Sequence, residues 1–150
     1  MQTTIPQSLY SAMRFNFLYV DKYTFHSGWF FPEDYIPYWD LTFMDGDEPR
    51  DSSAAAIAAC GMLAMAPYLE KTEADKYRAA AEKLADALIS HCAVTDPKVS
   101  NGLLLHGVYA KNSPYNPIPA DRGVDECNTW GDYFYMELLT RLTADWQMYW

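Results

Sequence analysis

The chain has 150 residues, half of them hydrophobic and 16% aromatic, and it carries a formal net charge of −9. That apolar content excludes a disordered chain, because a disordered sequence buries too little apolar surface to offset the entropy lost on ordering the backbone. The acidic balance excludes an ordinary nucleic-acid-binding protein, since no basic patch is present to meet a phosphate backbone.

The first predicted element is an amphipathic helix over residues 7–20, in which apolar residues such as Leu9 and Met13 recur at helical spacing. Residues 23–31 are compatible with one or two further helical turns. Residues 31–50 break the pattern, because the prolines among them remove backbone donors and disfavour helix in the residues before them. We therefore expect an irregular segment there.

Two helices are predicted next. An alanine-rich helix over residues 54–66 begins after Asp51 or Ser52, either of which can cap its free amides. Its small side chains allow neighbouring helices to approach closely, so we expect it to be buried among other helices. A third helix opens at residues 72–73 and runs to about Cys92, with one apolar side and one charged side.

The last third of the chain is predicted to be irregular and then helical. Residues 101–109 are short and bounded by glycines, and we expect them to be extended or irregular. Residues 110–128 form a long proline-bearing loop, a feature that is often functional in a compact protein. Thr129 can cap a final helix from Trp130 to about Thr143. No strand alternation appears, so the predicted fold class is all-α.

The cysteines and the absence of targeting signals favour a cytoplasmic protein. Cys60, Cys92 and Cys127 are widely spaced and form no metal-binding pair. We expect three unpaired thiols, with Cys60 a small core residue. No window approaches the roughly 20 apolar residues of a membrane helix, and the first residues do not resemble a signal peptide. We predict no membrane partner, no nucleic-acid partner, no metal and no other cofactor.

Acids and aromatic residues are abundant in the predicted loops. Both are typical of carbohydrate clefts, although the aromatic rings could equally fill a helical core. A glycosidase needs two carboxyls about 5 to 10 Å apart, and the candidates are Asp40, Asp51, the adjacent Asp125 and Glu126, and Asp132. Several of them also have a structural interpretation: Asp51 can cap a helix, Asp125 and Glu126 can cap the last helix or pair with Arg122, and Asp132 can stabilise the positive end of that helix. His106 fits either a ligand contact or a buried histidine held by the backbone.

Three stretches carry a more specific signal: PYWD at residues 37–40, RDSSAAAIAACG at 50–61 and RGVDECNTWGDYFY at 122–135. In this order, with HGVY at 106–109, they resemble the C-terminal part of glycoside hydrolase family 88, the unsaturated glucuronyl hydrolases. That family is an (α/α)6 barrel of helical hairpins. Because a full barrel needs more than about 300 residues, the resemblance implies that residues 1–150 are an incomplete (α/α)6-barrel domain.

The resemblance implies a hydrolase that releases an unsaturated uronic acid from oligosaccharides made by polysaccharide lyases. In the family an aspartic acid protonates the C4=C5 double bond and water adds at C5, after which the hemiketal collapses and opens the glycosidic link. The catalytic aspartates of the family have no matching motif in this sequence, so we assign no catalytic residue. The expected partner is an unsaturated uronyl oligosaccharide.

Three substrate-binding residues are predicted: His106, Tyr109 and Ser113. Tyr109 matches a tyrosine of the family's substrate site. Ser113 matches the second serine of a Ser-x-x-Ser-x-Lys segment that contacts sulfate in some members. Ala110 and Tyr115 replace the first serine and the lysine of that segment, a departure that argues against a preference for sulfated disaccharides.

Some alternatives stay open at this point. Lys111 either supplies a positive charge to the substrate or is an ordinary solvated lysine. The chain is either a segment of such a hydrolase with little or no activity alone or a catalytically inactive sugar-binding or interaction remnant. It could also be similar to the related unsaturated rhamnogalacturonyl hydrolases, or a structural helical module unrelated in function. A partial barrel leaves apolar helix faces uncovered, so we expect the isolated chain to self-associate or to be loosely packed.

Overall fold

The computed structural model describes residues 32–40, 42–43 and 45–147, whose regular structure is helical. The helices are α1 (Ser52–Met65), α2 (Lys71–His91) and α3 (Thr129–Thr143), with a 3-10 turn at Ala66–Tyr68 between the first two. The described residues contain isolated β-bridges but no strand, which confirms the all-α prediction for this part of the chain. The helical turns predicted at residues 7–20 and 23–31 lie outside the described residues.

The first residues of α1 and α3 are set by the capping residues that precede them. The Asp51 carboxylate accepts a hydrogen bond from the amide of Ser53 at 3.1 Å, so α1 begins where its cap was predicted. The cap of α3 is Asn128 and not Thr129, because the Asn128 side-chain oxygen accepts from the amide of Gly131 at 2.7 Å. The final helix therefore begins one residue before the predicted start.

Helix α1 packs against both other helices, whereas α2 and α3 hardly meet. The residues that it buries between them are mostly small: Ala55, Ala56, Ala59, Cys60 and Met62. These side chains allow the two neighbouring helices to approach α1 closely. The expectation that this helix is buried among other helices is only partly right, because Ile57 on its remaining side is 41% exposed.

Helices α1 and α3 begin side by side. The indole nitrogen of Trp130 donates to the Ser53 hydroxyl at 3.1 Å, and a Cβ placed on Gly131 would lie 3.3 Å from that of Ser53. Helix α2 runs back along α1, so its last turn returns to the same end, where the Cys92 carbonyl accepts from the amide of Leu105 at 2.9 Å. We call this the cap end of the helices.

A crossing segment, residues 103–109, lies over the cap end and is held through its peptide groups. The Asp132 carboxylate accepts hydrogen bonds from the first two amides of the segment at 3.0 and 2.9 Å. The Ser52 hydroxyl donates to the carbonyl of Leu105 at 2.6 Å, and the Ser52 amide donates to that of His106 at 2.9 Å. The first turns of two helices therefore fix one irregular segment between them.

The cysteines behave as structural residues. All three are unpaired, and Cys60 and Cys92 are buried. Burial raises the pKa of each of these two thiols to about 12, so both stay protonated and unreactive at neutral pH. The prediction of Cys60 as a core residue is confirmed. Within the described residues, no helix combines the length and the apolar character needed to cross a membrane.

Candidate functional site

The crossing segment pairs with the loop that precedes α3. Gly107 and Glu126 exchange two backbone hydrogen bonds, of 2.8 and 3.2 Å. The carbonyl of Gly123 accepts from the amides of Tyr109 and Ala110 at 2.9 and 3.1 Å. These bonds place side chains from two distant parts of the sequence on one surface at the cap end.

His106 lies on this surface with its backbone fixed and its ring accessible. Its φ is 63°, in the left-handed region, and so is that of Asp125 at 59°. The His106 Nδ1 pairs with the Asp125 carboxylate, and the two side chains are 42% and 71% exposed. The interpretation of His106 as a buried histidine is therefore wrong. Asp125 meets His106 and does not cap α3, since that cap is Asn128.

Tyr109 and Trp130 form an exposed aromatic pair, which we call the aromatic corner. Their ring centroids lie 6.5 Å apart with the planes at 88°, an edge-to-face contact. Tyr109 is 52% and Trp130 is 44% exposed. A hydrogen bond from the Tyr109 hydroxyl to Glu126 raises the pKa of the phenol, since the bond stabilises its protonated form.

Ser113 lies in a separate turn beyond the crossing segment. Ser113 and Asn116 exchange backbone hydrogen bonds of 3.1 Å, and the Ser113 hydroxyl accepts a further bond of 3.1 Å from the Asn116 amide. At the tip of the turn, Tyr115 is 98% exposed. Of the three predicted site residues, His106 and Tyr109 share the crossing segment, whereas the Ser113 hydroxyl is engaged within its own turn.

Lys111 is held by residues from before α1. Its ammonium group pairs with the Glu48 carboxylate and lies 5.1 Å from the ring centroid of Trp39. The Trp39 indole also donates to Glu48, at 3.0 Å. The Lys111 side chain is only 28% exposed, so the expectation of a solvated lysine is wrong. Its charge is already compensated by a carboxylate of the chain.

We predict that the Glu48 pair makes stability depend on pH. Hydrogen bonds from Lys111 and Trp39 lower the pKa of Glu48 below its ordinary value. The charged form is therefore favoured by folding, and this contribution is present above the ordinary glutamate pKa and lost as pH falls through the lowered one. Denaturant midpoints from neutral to acidic pH should show Glu48→Gln less stable than the unmodified chain at neutral pH, with the difference shrinking in acid.

The matched control for that experiment is Glu82→Gln, on the exposed side of α2. Its midpoints should follow those of the unmodified chain throughout. A constant difference between the Glu48→Gln variant and the unmodified chain at all pH values would contradict the prediction.

The acids considered as catalytic candidates have partners within the fold. Asp132 holds the crossing segment, and Glu126 accepts from the amide of Gly123 at 3.3 Å. Asp40 accepts from the amide of Thr42 at 2.9 Å, within a turn. Asp51 caps α1, and Asp125 pairs with His106. In the part of the chain that the structure describes, no three histidine, cysteine or acidic residues are grouped to hold a metal ion. The exposed aromatic and polar side chains at the cap end are suited to binding a polar ring.

Trp130 is a candidate site residue that sequence reasoning missed. The sequence predicts it as the first residue of the final helix, and periodicity alone cannot tell an exposed ring from one in the core. The available signal was its position in the first turn of α3, directly after the loop that carries Asp125 and Glu126.

Known proteins resemble this chain in both sequence and structure. It is 45% identical over 122 residues to the unsaturated chondroitin disaccharide hydrolase of Streptococcus pneumoniae, an alignment that covers 79% of this chain and 29% of that protein. The chain belongs to the unsaturated glucuronyl hydrolase family. No model of a protein family matches it. It spans about three tenths of the length of the family members it matches.

Two solved structures of unsaturated glucuronyl hydrolases extend the comparison. The enzyme of Bacillus sp. GL1 has a TM-score of 0.64 and 33% identity, over 76% of this chain and 29% of that one. A variant of the Streptococcus agalactiae enzyme, complexed with dGlcA-GalNAc6S, has a TM-score of 0.67 and 41% identity, over 81% and 31%. These hydrolases are (α/α)6 barrels, so the prediction of an incomplete barrel is confirmed.

Proposed function

We propose that this chain contributes to a hydrolase that releases unsaturated uronic acid from oligosaccharides made by polysaccharide lyases. Residues 1–150 form part of a single (α/α)6-barrel domain, and the cap end forms part of the wall of its substrate cleft. The observation that carries this proposal is the 45% identity to a hydrolase of that kind. An alignment covering 79% of 150 residues necessarily includes α1, α2 and the crossing segment.

The described residues bind and orient the sugar in this proposal. Tyr109 offers a ring face and a phenol oxygen, and His106 on the same segment offers an exposed hydrogen-bonding group. Ser113 contributes from the neighbouring turn. Protonation of the C4=C5 double bond needs a carboxyl of raised pKa, and Asp40, Asp51 and Asp125 are committed to other partners. In this proposal the proton donor is supplied by residues outside the described part, because the catalytic aspartates of the family have no matching motif in this sequence.

The neighbouring sugar need not carry a sulfate. Lys111, the cation two residues before Ser113, is already paired with Glu48, and the exposed side chain at the tip of the turn is the neutral Tyr115. These features support a preference for an uncharged sugar at this position. We also propose a cytoplasmic location, which is supported by three unpaired thiols.

The isolated chain self-associates, in our proposal, through apolar side chains that α1 and α3 leave exposed. Ile57 is 41% and Met136 is 51% exposed. Burying such apolar surface against another copy of the chain lowers the free energy of the system.

A chimera tests the proposed hydrolase function. We predict that the S. pneumoniae hydrolase stays active when this chain replaces its homologous segment, because the segment supplies a cleft wall and not the proton donor. Activity is followed as the loss of ultraviolet absorbance by the double bond of an unsaturated chondroitin disaccharide. Tyr109→Ala in the chimera should lower kcat/KM by about tenfold or more, since it removes a ring and a hydrogen bond from the site.

The matched control is Tyr68→Ala, at the opposite end of α1, which should leave the chimera as active as before. A folded chimera without turnover would contradict the hydrolase proposal. The second candidate function, a sugar-binding remnant without catalysis, is favoured by the commitment of the candidate acids. It predicts that the chain binds the disaccharide while the folded chimera stays inactive.

A further inference from the structure

The Trp130 indole is held by a directed chain of hydrogen bonds. Its N–H donates to the Ser53 hydroxyl oxygen at 3.1 Å, and that hydroxyl donates its one proton to Asp51 at 2.6 Å. The same Asp51 oxygen accepts from the Ser53 amide and lies 3.5 Å from the amide of Val108 in the crossing segment. Since Ser53 is only 2% exposed, water does not compete for this link.

The polar atom of the Trp130 ring is thus used internally, while the side chain stays 44% exposed. What remains for a ligand is the ring surface of two half-exposed aromatic side chains, Tyr109 and Trp130. The polar pair of His106 and Asp125 comes from the same crossing segment and the same loop. A pyranose ring has the complementary pattern, with an apolar C–H face and a rim of hydroxyl groups.

We infer that Trp130 binds a sugar ring and that Ser53 and Asp51 are its positioning residues. The inference rests on the proposed function, because the sugar is part of the unsaturated uronyl oligosaccharide. An indole fixed before binding loses little rotamer freedom when the ligand arrives. Removing the link at Ser53 therefore weakens binding without removing any atom that touches the sugar.

The experiment measures the Trp130 indole directly. In the 15N-labelled chain, the indole signal that disappears in Trp130→Phe is assigned to Trp130, and unsaturated chondroitin disaccharide is the probe. We expect the probe to shift this signal in the unmodified chain. Ser53→Ala should move the signal even without probe and should raise Kd by about threefold to tenfold. Trp130→Phe should raise Kd by about tenfold or more.

A double-mutant cycle separates positioning from a general structural effect. If Ser53 acts through the indole, Ser53→Ala has no further effect on Kd in the Trp130→Phe background. Because Asp51 still caps α1 in Ser53→Ala, the variant keeps the backbone bonds at the start of the helix. Tyr68→Phe, at the far end of α1, is the control and should leave both the signal and Kd unchanged.

Three results would overturn the inference: no shift of the Trp130 signal with millimolar probe, no response of that signal to Ser53→Ala, or an equal rise in Kd in both backgrounds. The hydrolase proposal is read separately, from the double-bond absorbance of the chimera. Turnover without any effect of Trp130→Phe would leave the hydrolase intact and refute the role of Trp130. Binding of the probe at Trp130, together with a folded chimera that shows no turnover, would support the role of Trp130 and contradict the hydrolase proposal.

Discussion

Replacing Leu88 with alanine should lower the free energy of unfolding by about 2–5 kcal/mol. Leu88 has no exposed surface and belongs to the core shared by α1 and α2. The substitution removes buried methyl groups and leaves a cavity, because the surrounding helices can close it only in part. Chemical unfolding followed by far-ultraviolet circular dichroism measures the difference.

The neighbouring residue provides the control for that measurement. Ile89 is also a large aliphatic residue of α2, but it is 49% exposed. Ile89→Ala should therefore cost less than about 1 kcal/mol, because little transfer from water is lost and no closed cavity forms. Similar decreases in the free energy of unfolding for Leu88→Ala and Ile89→Ala would contradict an orientation of α2 that buries Leu88 and exposes Ile89.

Gly123→Ala should strongly destabilise the site, because it combines a strained backbone with a steric overlap. The φ of Gly123 is +77°, and a Cβ there would lie 2.5 Å from the carbonyl oxygen of Ala110. The left-handed backbone costs about 1–2 kcal/mol for a residue with a Cβ, and the overlap adds about 1–3 kcal/mol. Because the Gly123 carbonyl also accepts from the amide of Tyr109, the aromatic corner should shift with it.

Gly46→Ala separates the cost of the left-handed backbone from the cost of the steric overlap. Gly46 has a φ of +91°, yet nothing lies within 4 Å of a Cβ placed on it. It should show only the backbone cost, and the difference between the variants should equal the cost of the overlap. Denaturant unfolding gives both values, and the Trp130 indole signal reports the aromatic corner. Equal destabilisation by the two substitutions, with that signal unmoved in both, would refute the close contact.

The helices were predictable because their signals are local. The Asp51 cap and the alanine-rich run after it are adjacent in sequence, and so are the charged and apolar sides of α2. The error at the start of α3 has a local cause as well. Asn128 and Thr129 are both capping residues, and only the backbone geometry shows which of them reaches the amide of Gly131.

The site was only partly predictable because its contacts are long-range. The family resemblance points to Tyr109, and the length of the proline-bearing loop before α3 marks it as a candidate functional loop. The partners of these residues could not be found in this way: 77 residues separate Ser53 from Trp130, and 63 separate Glu48 from Lys111. No periodicity or spacing rule spans such separations, so only the tertiary structure shows that Lys111 is paired and that the Trp130 indole is hydrogen-bonded.

The way in which residues 103–109 are anchored bears on how this surface can diverge. Ser52 and Asp132 hold the segment through hydrogen bonds to its main-chain atoms. Every amino acid except proline supplies both the amide donor and the carbonyl acceptor that such bonds use. Exchanges at the outward-facing Leu103, 40% exposed, or at Tyr109 therefore leave the anchorage untouched. Natural variation and laboratory mutagenesis can therefore change the side chains presented to a ligand one at a time, while the backbone of residues 103–109 stays in place.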